Sequence, residues 1–286
     1  MQPLKTMAEC LDETARSIID AKPIGHIHHR QLDRLLGGIR PHLIMVPAAP
    51  GVGKTTFVHE IGDHWAASGH PVVFFEGELS KPSLLGKSLT RLTKGVLTTT
   101  AMFNSPLDSE SRALFNDALK IYRECIAPRL FICDGPIQYK TMRDAVAIAA
   151  DRFGEAPLVV CDYAQIVSLP PELQTLDERV GLKLVASQLR LIVDELQCPL
   201  IAISSINRTN YDKQVAGLDS VGGCSAFEYG ADVICGLSVE GKGSERFENM
   251  EKPIRPIVAS VTKNRYGLCG HVGFTFDAPR ATFIER

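Results

Sequence analysis

The chain has 286 residues, 45% hydrophobic, 22% charged and 7% aromatic; at roughly 150 residues per domain this makes about two domains, or one α/β unit with an appended arm. That composition excludes general disorder and fibrous repeats, and uncharged runs such as Pro41–Gly53 fall short of the roughly 18 residues a membrane-crossing helix requires. A formal charge of -2 supplies no chain-wide basic field, so any nucleic-acid contact has to come from a local patch.

At the N-terminus, Lys5 is followed by Glu9, Asp12 and Glu13 without an apolar stretch, which predicts no secretory or mitochondrial presequence and a cytoplasmic address. The eight cysteines are scattered with no CxxC pair and are read as reduced core thiols. Leu4, Met7, Ala8, Leu11, Ala15, Ile18 and Ile19 recur at spacings of three and four, predicting an amphipathic helix that ends before Lys22-Pro23. This divides the chain into a leading helix, 1–22, and a main domain, 23–286.

Beyond a short helical stretch, Gln31–Leu36, and the Gly37-Gly38 stop, β-rich runs alternate with helical patterns. Strands are expected near Leu43–Pro47, Val72–Glu76, Leu130–Asp134, Leu158–Asp162, Leu200–Ser204, Val233–Leu237 and Ile257–Thr262. Helices are expected near Lys54–Ala67, Pro82–Thr93, Ser109–Cys125, Lys140–Arg152 and Leu176–Leu196. Near-continuous apolar strands joined by helices predict an α/β fold with a mostly parallel twisted sheet covered on both faces, binding its ligand at the strands' carboxyl ends. Two long polar loops, Asn207–Gly223 and Glu240–Lys252, are expected to carry function or disorder.

The segment Ala48-Ala49-Pro50-Gly51-Val52-Gly53-Lys54-Thr55 follows a buried strand and opens a helix, the context of a phosphate-binding loop. Its small residues let backbone N–H groups and the helix N-terminus face negative charge. Lys54 reaches the β and γ phosphates of a nucleoside triphosphate such as ATP, and the Thr55 hydroxyl holds Mg²⁺; Thr56 completes the set. Asp162, ending the run Leu158–Cys161, suits a carboxylate that orients Mg²⁺ through water. Glu76 and Glu78 both follow the apolar run Val72–Phe75, and either is placed to align a water; Glu78, further past the strand, is favoured. Lys263 and Arg265 form a pair two apart after Ile257–Val261, suited to phosphate on a neighbouring copy or, equally, to a hydrated hairpin end.

Taken in order, Gly37-Gly38, the phosphate loop, Glu78, Asp162-Tyr163-Ala164-Gln165, Ser204–Arg208, Glu228–Asp232 and Lys263-Asn264-Arg265 resemble the C-terminal motor domain of bacterial replicative helicases of the DnaB type, a RecA-like ATPase of the P-loop class. The likeness runs from about Leu4 to the end. It implies a hexameric ring that hydrolyses ATP with Mg²⁺ between subunits and moves along single-stranded DNA. The leading helix would be a linker docked on the next subunit, and a helicase loader or a separate N-terminal partner would be implied. The resemblance gives Lys54 and Thr55 to phosphate and metal, Glu78 to the water, Asp162 to the metal and Gln165 to the nucleotide. Lys263 and Arg265 go to the neighbour's nucleotide. Arg208, Asn210, Tyr211 and Lys213, joined by Lys183, go to DNA, a mixture of cations, amides and an aromatic that can grip phosphates and stack a base.

The chain departs from this family in three places. The family's helical N-terminal domain has no counterpart ahead of Met1, which weakens the expectation of primase recruitment; Ser204-Ser205 stands where Ser-Gln is usual; and Gly222-Gly223 replaces an Arg-Glu pair in the DNA loop. These keep a second reading open, a regulatory or recombination ATPase of the RecA or KaiC kind that binds DNA or protein without unwinding, and a third, an adaptor that binds ATP structurally. His26, His28 and His29 lack a matching Cys or further His and are read as a turn rather than a metal site; Trp65 is read as packing.

Overall fold

A computed structural model describes residues 5–20, 22–135, 137–173, 178–205 and 230–286. Its centre is one nine-stranded sheet. The strands are β1 (Leu43–Ala48), β2 (Val72–Glu76), β3 (Leu130–Cys133), β4 (Leu158–Asp162), β5 (Leu200–Ser205), β6 (Val233–Val239), β7 (Ile254–Asn264), β8 (Gly270–Asp277) and β9 (Thr282–Glu285). They lie side by side in the order β3-β2-β4-β5-β1-β6-β7-β8-β9. The first six in that order pair in parallel, and β6 to β9 continue as an antiparallel meander.

Every residue of β1, β2 and β4 is buried, as expected of strands covered on both faces. Alternation along β1 divides the core: Ile44, Val46 and Ala48 join one cluster, and Leu43 and Met45 the other. The first cluster packs under α2 (Arg30–Leu36) and α3 (Lys54–Ala67) through Leu32, Leu36, Phe57, Ile61 and Trp65. The second packs under α7 (Tyr139–Phe153) and α8 (Glu178–Leu196) through Met142, Val146, Leu189 and Val193. Between them in sequence run α4 (Lys81–Leu92), α5 (Thr99–Asn104) and α6 (Ser109–Cys125).

The chain's end locks its beginning. The side chain of His29 makes no cap bond for α2, leaving orphan N–H donors at that helix start. The Glu285 carboxylate accepts from the backbone of Gln31 at 2.9 Å and Leu32 at 3.1 Å instead, a favourable place for negative charge. On α3, the buried Glu60 accepts from Phe283 N at 2.9 Å and from the Thr282 hydroxyl at 2.6 Å. The β9 edge is thereby tied to the helix that begins at the phosphate loop.

α1 (Met7–Ile19) starts on a capping box between Thr6 and Glu9, and none of its residues is buried. Its apolar side chains Met7, Leu11, Ile18 and Ile19 are exposed. No helix among the described residues is long and apolar enough to cross a membrane.

Four expectations need correction. β8 and β9 are additions to the expected strands, and they make the C-terminal third of the sheet antiparallel. The stretch Glu240–Lys252 is not a plain loop: it holds a helix, Ser244–Glu251, hidden because its sequence is mostly polar and its buried residue is Asn249 while Phe247 is exposed. α5 fills a stretch with no expected element. Cys125 and Cys269 are exposed rather than core thiols, while Cys161, Cys198 and Cys235 are buried.

Candidate nucleotide-binding site

β1 delivers Ala48 to the sheet's carboxyl edge, and α3 begins six residues later at Lys54. The intervening turn requires glycine: Gly51 has φ 82° and Gly53, the N-cap of α3, has φ 100°, a region other residues enter only with strain. A Cβ on Gly53 would also sit 2.6 Å from Cε1 of Phe276. Ala49 and Val52 are buried, Pro50 and Gly51 are exposed, and Lys54 and Thr55 are half-buried. The turn therefore presents N–H groups, a lysine and a hydroxyl toward one opening at a helix N-terminus, the chemistry of a phosphate cradle.

Asp162, the last residue of β4, has no exposed surface, and neither carboxylate oxygen has a hydrogen-bond partner among the described residues. Burial is the main reason its acid is pushed up to about 7; nearby Glu76 and Glu78 push the same way, and the Thr55 hydroxyl and Lys54 oppose. A buried carboxylate beside a hydroxyl, with both oxygens unsatisfied, is costly alone. It is the donor set that a hydrated Mg²⁺ relieves. No cluster of three or more His, Cys, Asp or Glu suited to a metal occurs among the described residues, so an ion here would take most of its ligands from water and phosphate.

Glu76 ends β2 directly opposite Asp162 in the β2–β4 register. It is buried, and burial shifts its acid upward against the pull of the Leu79 and Glu78 amides. Glu78, two residues on, is exposed at the mouth. Gln165 lies in a 3₁₀ turn after β4, where its Nε2 donates to Ser204 Oγ at 3.0 Å and to Ser205 O at 3.2 Å. The end of β5 is thus bonded to the amide of Gln165 in the turn after β4.

Lys263 and Arg265 lie elsewhere. Arg265 N donates to Asp232 O at 3.1 Å, and its guanidinium approaches Asp232 Oδ1 at 3.4 Å. Asp232 in turn bonds the backbone of Leu43, the first residue of β1. Lys263 stands opposite Ile234, level with Met45, two strands away from β1. The six residues of β1, at about 3.3 Å each, put the phosphate loop on the order of 20 Å from the Asp232 anchor. Arg265 therefore lies at the sheet edge opposite the phosphate loop of its own chain, with Lys263 further in, level with the third residue of β1.

A family model described as DnaB-like helicase C terminal domain matches residues 26–285. The chain belongs to the DnaB-like helicase C-terminal domain family. It is 27% identical over 260 residues to the replicative DNA helicase DnaB of Pasteurella multocida, covering 88% of this chain and 53% of that protein. The Haemophilus influenzae protein of the same name is 25% identical over 88% of this chain and 53% of its own length. The chain thus spans about half the length of the curated relatives it matches. Among solved structures, one described as an ATPase domain superposes with a TM-score of 0.82 at 18% identity, covering 99% of this chain and 100% of that one. A structure of a DnaB-like replicative helicase and its interactions with primase gives 0.80 at 19% identity, covering 99% of this chain and 67% of that one. These two likenesses establish the RecA-like fold.

Within this DnaB-like domain, several residues next to the site carry no local sequence signal. Lys87 on α4 donates to the Thr56 hydroxyl at 3.0 Å, and its pKa is lowered, chiefly by burial, against the pull of Asp162 and Glu76. Arg255 on β7 donates through Nη1 to Gly51 O at 3.1 Å and Met250 O at 2.8 Å, with its guanidinium 5.4 Å from the Phe276 ring centre. Arg255, Met250 and Phe276 together brace the outer side of the phosphate loop. The residues expected to contact DNA, Arg208, Asn210, Tyr211 and Lys213, and Gly222-Gly223, lie outside the described residues; Lys183 is exposed on α8.

Proposed function

We propose that this domain is an ATP-driven motor acting on single-stranded DNA as a ring of identical copies, six in number, with each nucleotide bound between two of them. The observation that carries the proposal is the separation of the phosphate loop from Arg265, which sits beside Asp232 at the opposite sheet edge. A side chain spans well under about 20 Å, so Arg265 cannot reach its own loop and serves that of another copy, with Lys263 as its companion. An arginine finger provided in trans makes hydrolysis depend on assembly. Arg265, itself half exposed, rests on the buried Asp232, which Arg190 also pairs, and exchanges that long contact for phosphate.

In this reading Ala48–Gly53 and the α3 N-terminus hold the α and β phosphates by backbone N–H groups, and Lys54 and Thr56 close on the terminal ones. Thr55 and, through water, Asp162 hold Mg²⁺, which supplies charge neutralisation of the phosphates when bound. Glu78 accepts the proton of the attacking water. Gln165, bridged to Ser204 and Ser205, links the nucleotide edge to β5 and so to the segment bearing Arg208, Asn210, Tyr211 and Lys213, which contacts DNA. The helix ahead of residue 23 buries its exposed apolar face on the adjacent copy, and a loader or a separate N-terminal partner assists assembly.

The test is ATP turnover by the purified chain with and without single-stranded DNA, alongside unwinding of a tailed fork. Stimulation by DNA with unwinding is expected, and Glu78→Gln abolishes turnover while retaining nucleotide. Turnover indifferent to DNA, with no unwinding, would replace the motor by a regulatory ATPase of the same fold.

A further inference from the structure

We infer that Glu76 is a positioning residue that aims Glu78 at the attacking water by holding the backbone between them; this rests on the ATPase reading above. Glu76 is 2% exposed, an unusual place for a carboxylate at the open end of a strand. Its Oε1 accepts from Glu78 N and from Leu79 N, each at 2.8 Å. The one amide between, Gly77 N, donates to Asp162 O at 3.0 Å. Three consecutive N–H groups are therefore fixed by the ends of β2 and β4, and the chain leaves β2 with a single backbone path that sets where the Glu78 side chain starts. Asp134, which follows β3 at the same edge, instead meets solvent and pairs with Lys81, so ending a strand here does not itself call for a buried acid. Charge-assisted N–H bonds to a carboxylate are shorter and stronger than neutral ones, and here they act on the residue that touches water.

Steady-state hydrolysis and binding of a fluorescent ADP by the full chain test the inference. Glu76→Ala lowers kcat by about 10²-fold, the cost of a misplaced group of about an ångström, while KM for ATP and ADP affinity stay within about twofold. Glu76→Gln, whose amide oxygen accepts the same two N–H groups, recovers at least about tenfold of that loss. Full kcat in Glu76→Ala, loss of ADP binding in step with kcat, or a Gln variant as slow as the Ala variant would each overturn it. Should Glu76→Ala not fold, the Gln variant decides: a loss as large as that of Glu78→Gln overturns the inference, and a smaller one supports it. If the parent protein hydrolyses no ATP, the ATPase reading itself fails; if Glu78→Gln hydrolyses ATP like the parent, the water-orienting role of Glu78 fails and with it that of Glu76; if Glu78→Gln is inactive and Glu76→Ala is not, only the role of Glu76 fails.

Discussion

Gly77, between the two glutamates, is held without room for a side chain, and Gly77→Ala measures how tightly. The added Cβ would stand 1.8 Å from Cδ1 of Ile166 and 3.2 Å from its Cγ1, with Asp162 O at 3.7 Å. One methyl group therefore causes the collision. Pushing Ile166 off its rotamer or shifting the Gly77 peptide costs about 1–3 kcal/mol. Ile166→Val deletes Cδ1 and, at a half-buried position, costs about 0.5 kcal/mol alone. In the double variant the nearest remaining contact, at 3.2 Å, asks the half-buried residue 166 to give by only a few tenths of an ångström. Because Gly77 is not at positive φ, Ala also reduces the freedom of the unfolded chain by about 0.4–1 kcal/mol. The double variant should thus be at least as stable as Gly77→Ala alone, with a favourable coupling of about 1 kcal/mol or more. Urea midpoints at constant m read this out. ATP turnover should fall in Gly77→Ala and return in the double variant. Additive free energies, or a single Ala variant as stable and active as the parent, would refute the packing argument.

His29 and His59 are buried neutral, and burial pushes each down from the usual 6.5 to about 4. Between those values the unfolded chain binds protons that the fold refuses, so stability rises with pH through that window and is level above it. Each histidine costs the fold about 2 kcal/mol between about pH 7.5 and about pH 5. His29→Phe, which preserves the stack on Phe57 and the edge contact with Phe274, should remove its share of the acid sensitivity in urea titrations at the two pH values; an unchanged pH dependence counts against the assignment. Arg255→Ala removes the Nη1 group that bonds both Gly51 O and Met250 O, so ADP affinity should weaken by about tenfold, the equivalent of about 1.4 kcal/mol, as read by calorimetry. Affinity equal to the parent's would remove Arg255 from the support of the loop.

How far the site is legible follows from where its residues lie. β1, β2 and β4 are continuous apolar runs with a candidate site residue at the carboxyl end, and the turn after β1 carries its glycines, lysine and threonine together. The phosphate loop, Asp162 and the two glutamates are therefore readable in sequence. β8 is not, because Gly270 and Gly273 dilute its pattern, and β9, with four residues, is too short for period-two alternation to register. Arg255 and Phe276 brace Gly51 and Gly53 from more than 200 residues away. Lys87 looks like any lysine of an amphipathic helix until α4 packs beside α3. The choice of Glu78 over Glu76 draws on distance past the strand end; that the buried Glu76 caps the next two amides is visible only in three dimensions.

The central claim is that a nucleotide bound at Ala48–Thr56 is hydrolysed with cations from an adjoining copy. Mixing Lys54→Ala chains, which lack the phosphate lysine but keep Arg265, with Arg265→Ala chains, which keep the loop, tests it most directly. Each variant alone should be inactive, and the mixture should regain hydrolysis at interfaces where one chain provides an intact loop and the other an intact Arg265. No recovery in mixed assemblies, or full activity of Arg265→Ala by itself, would contradict a site shared between copies.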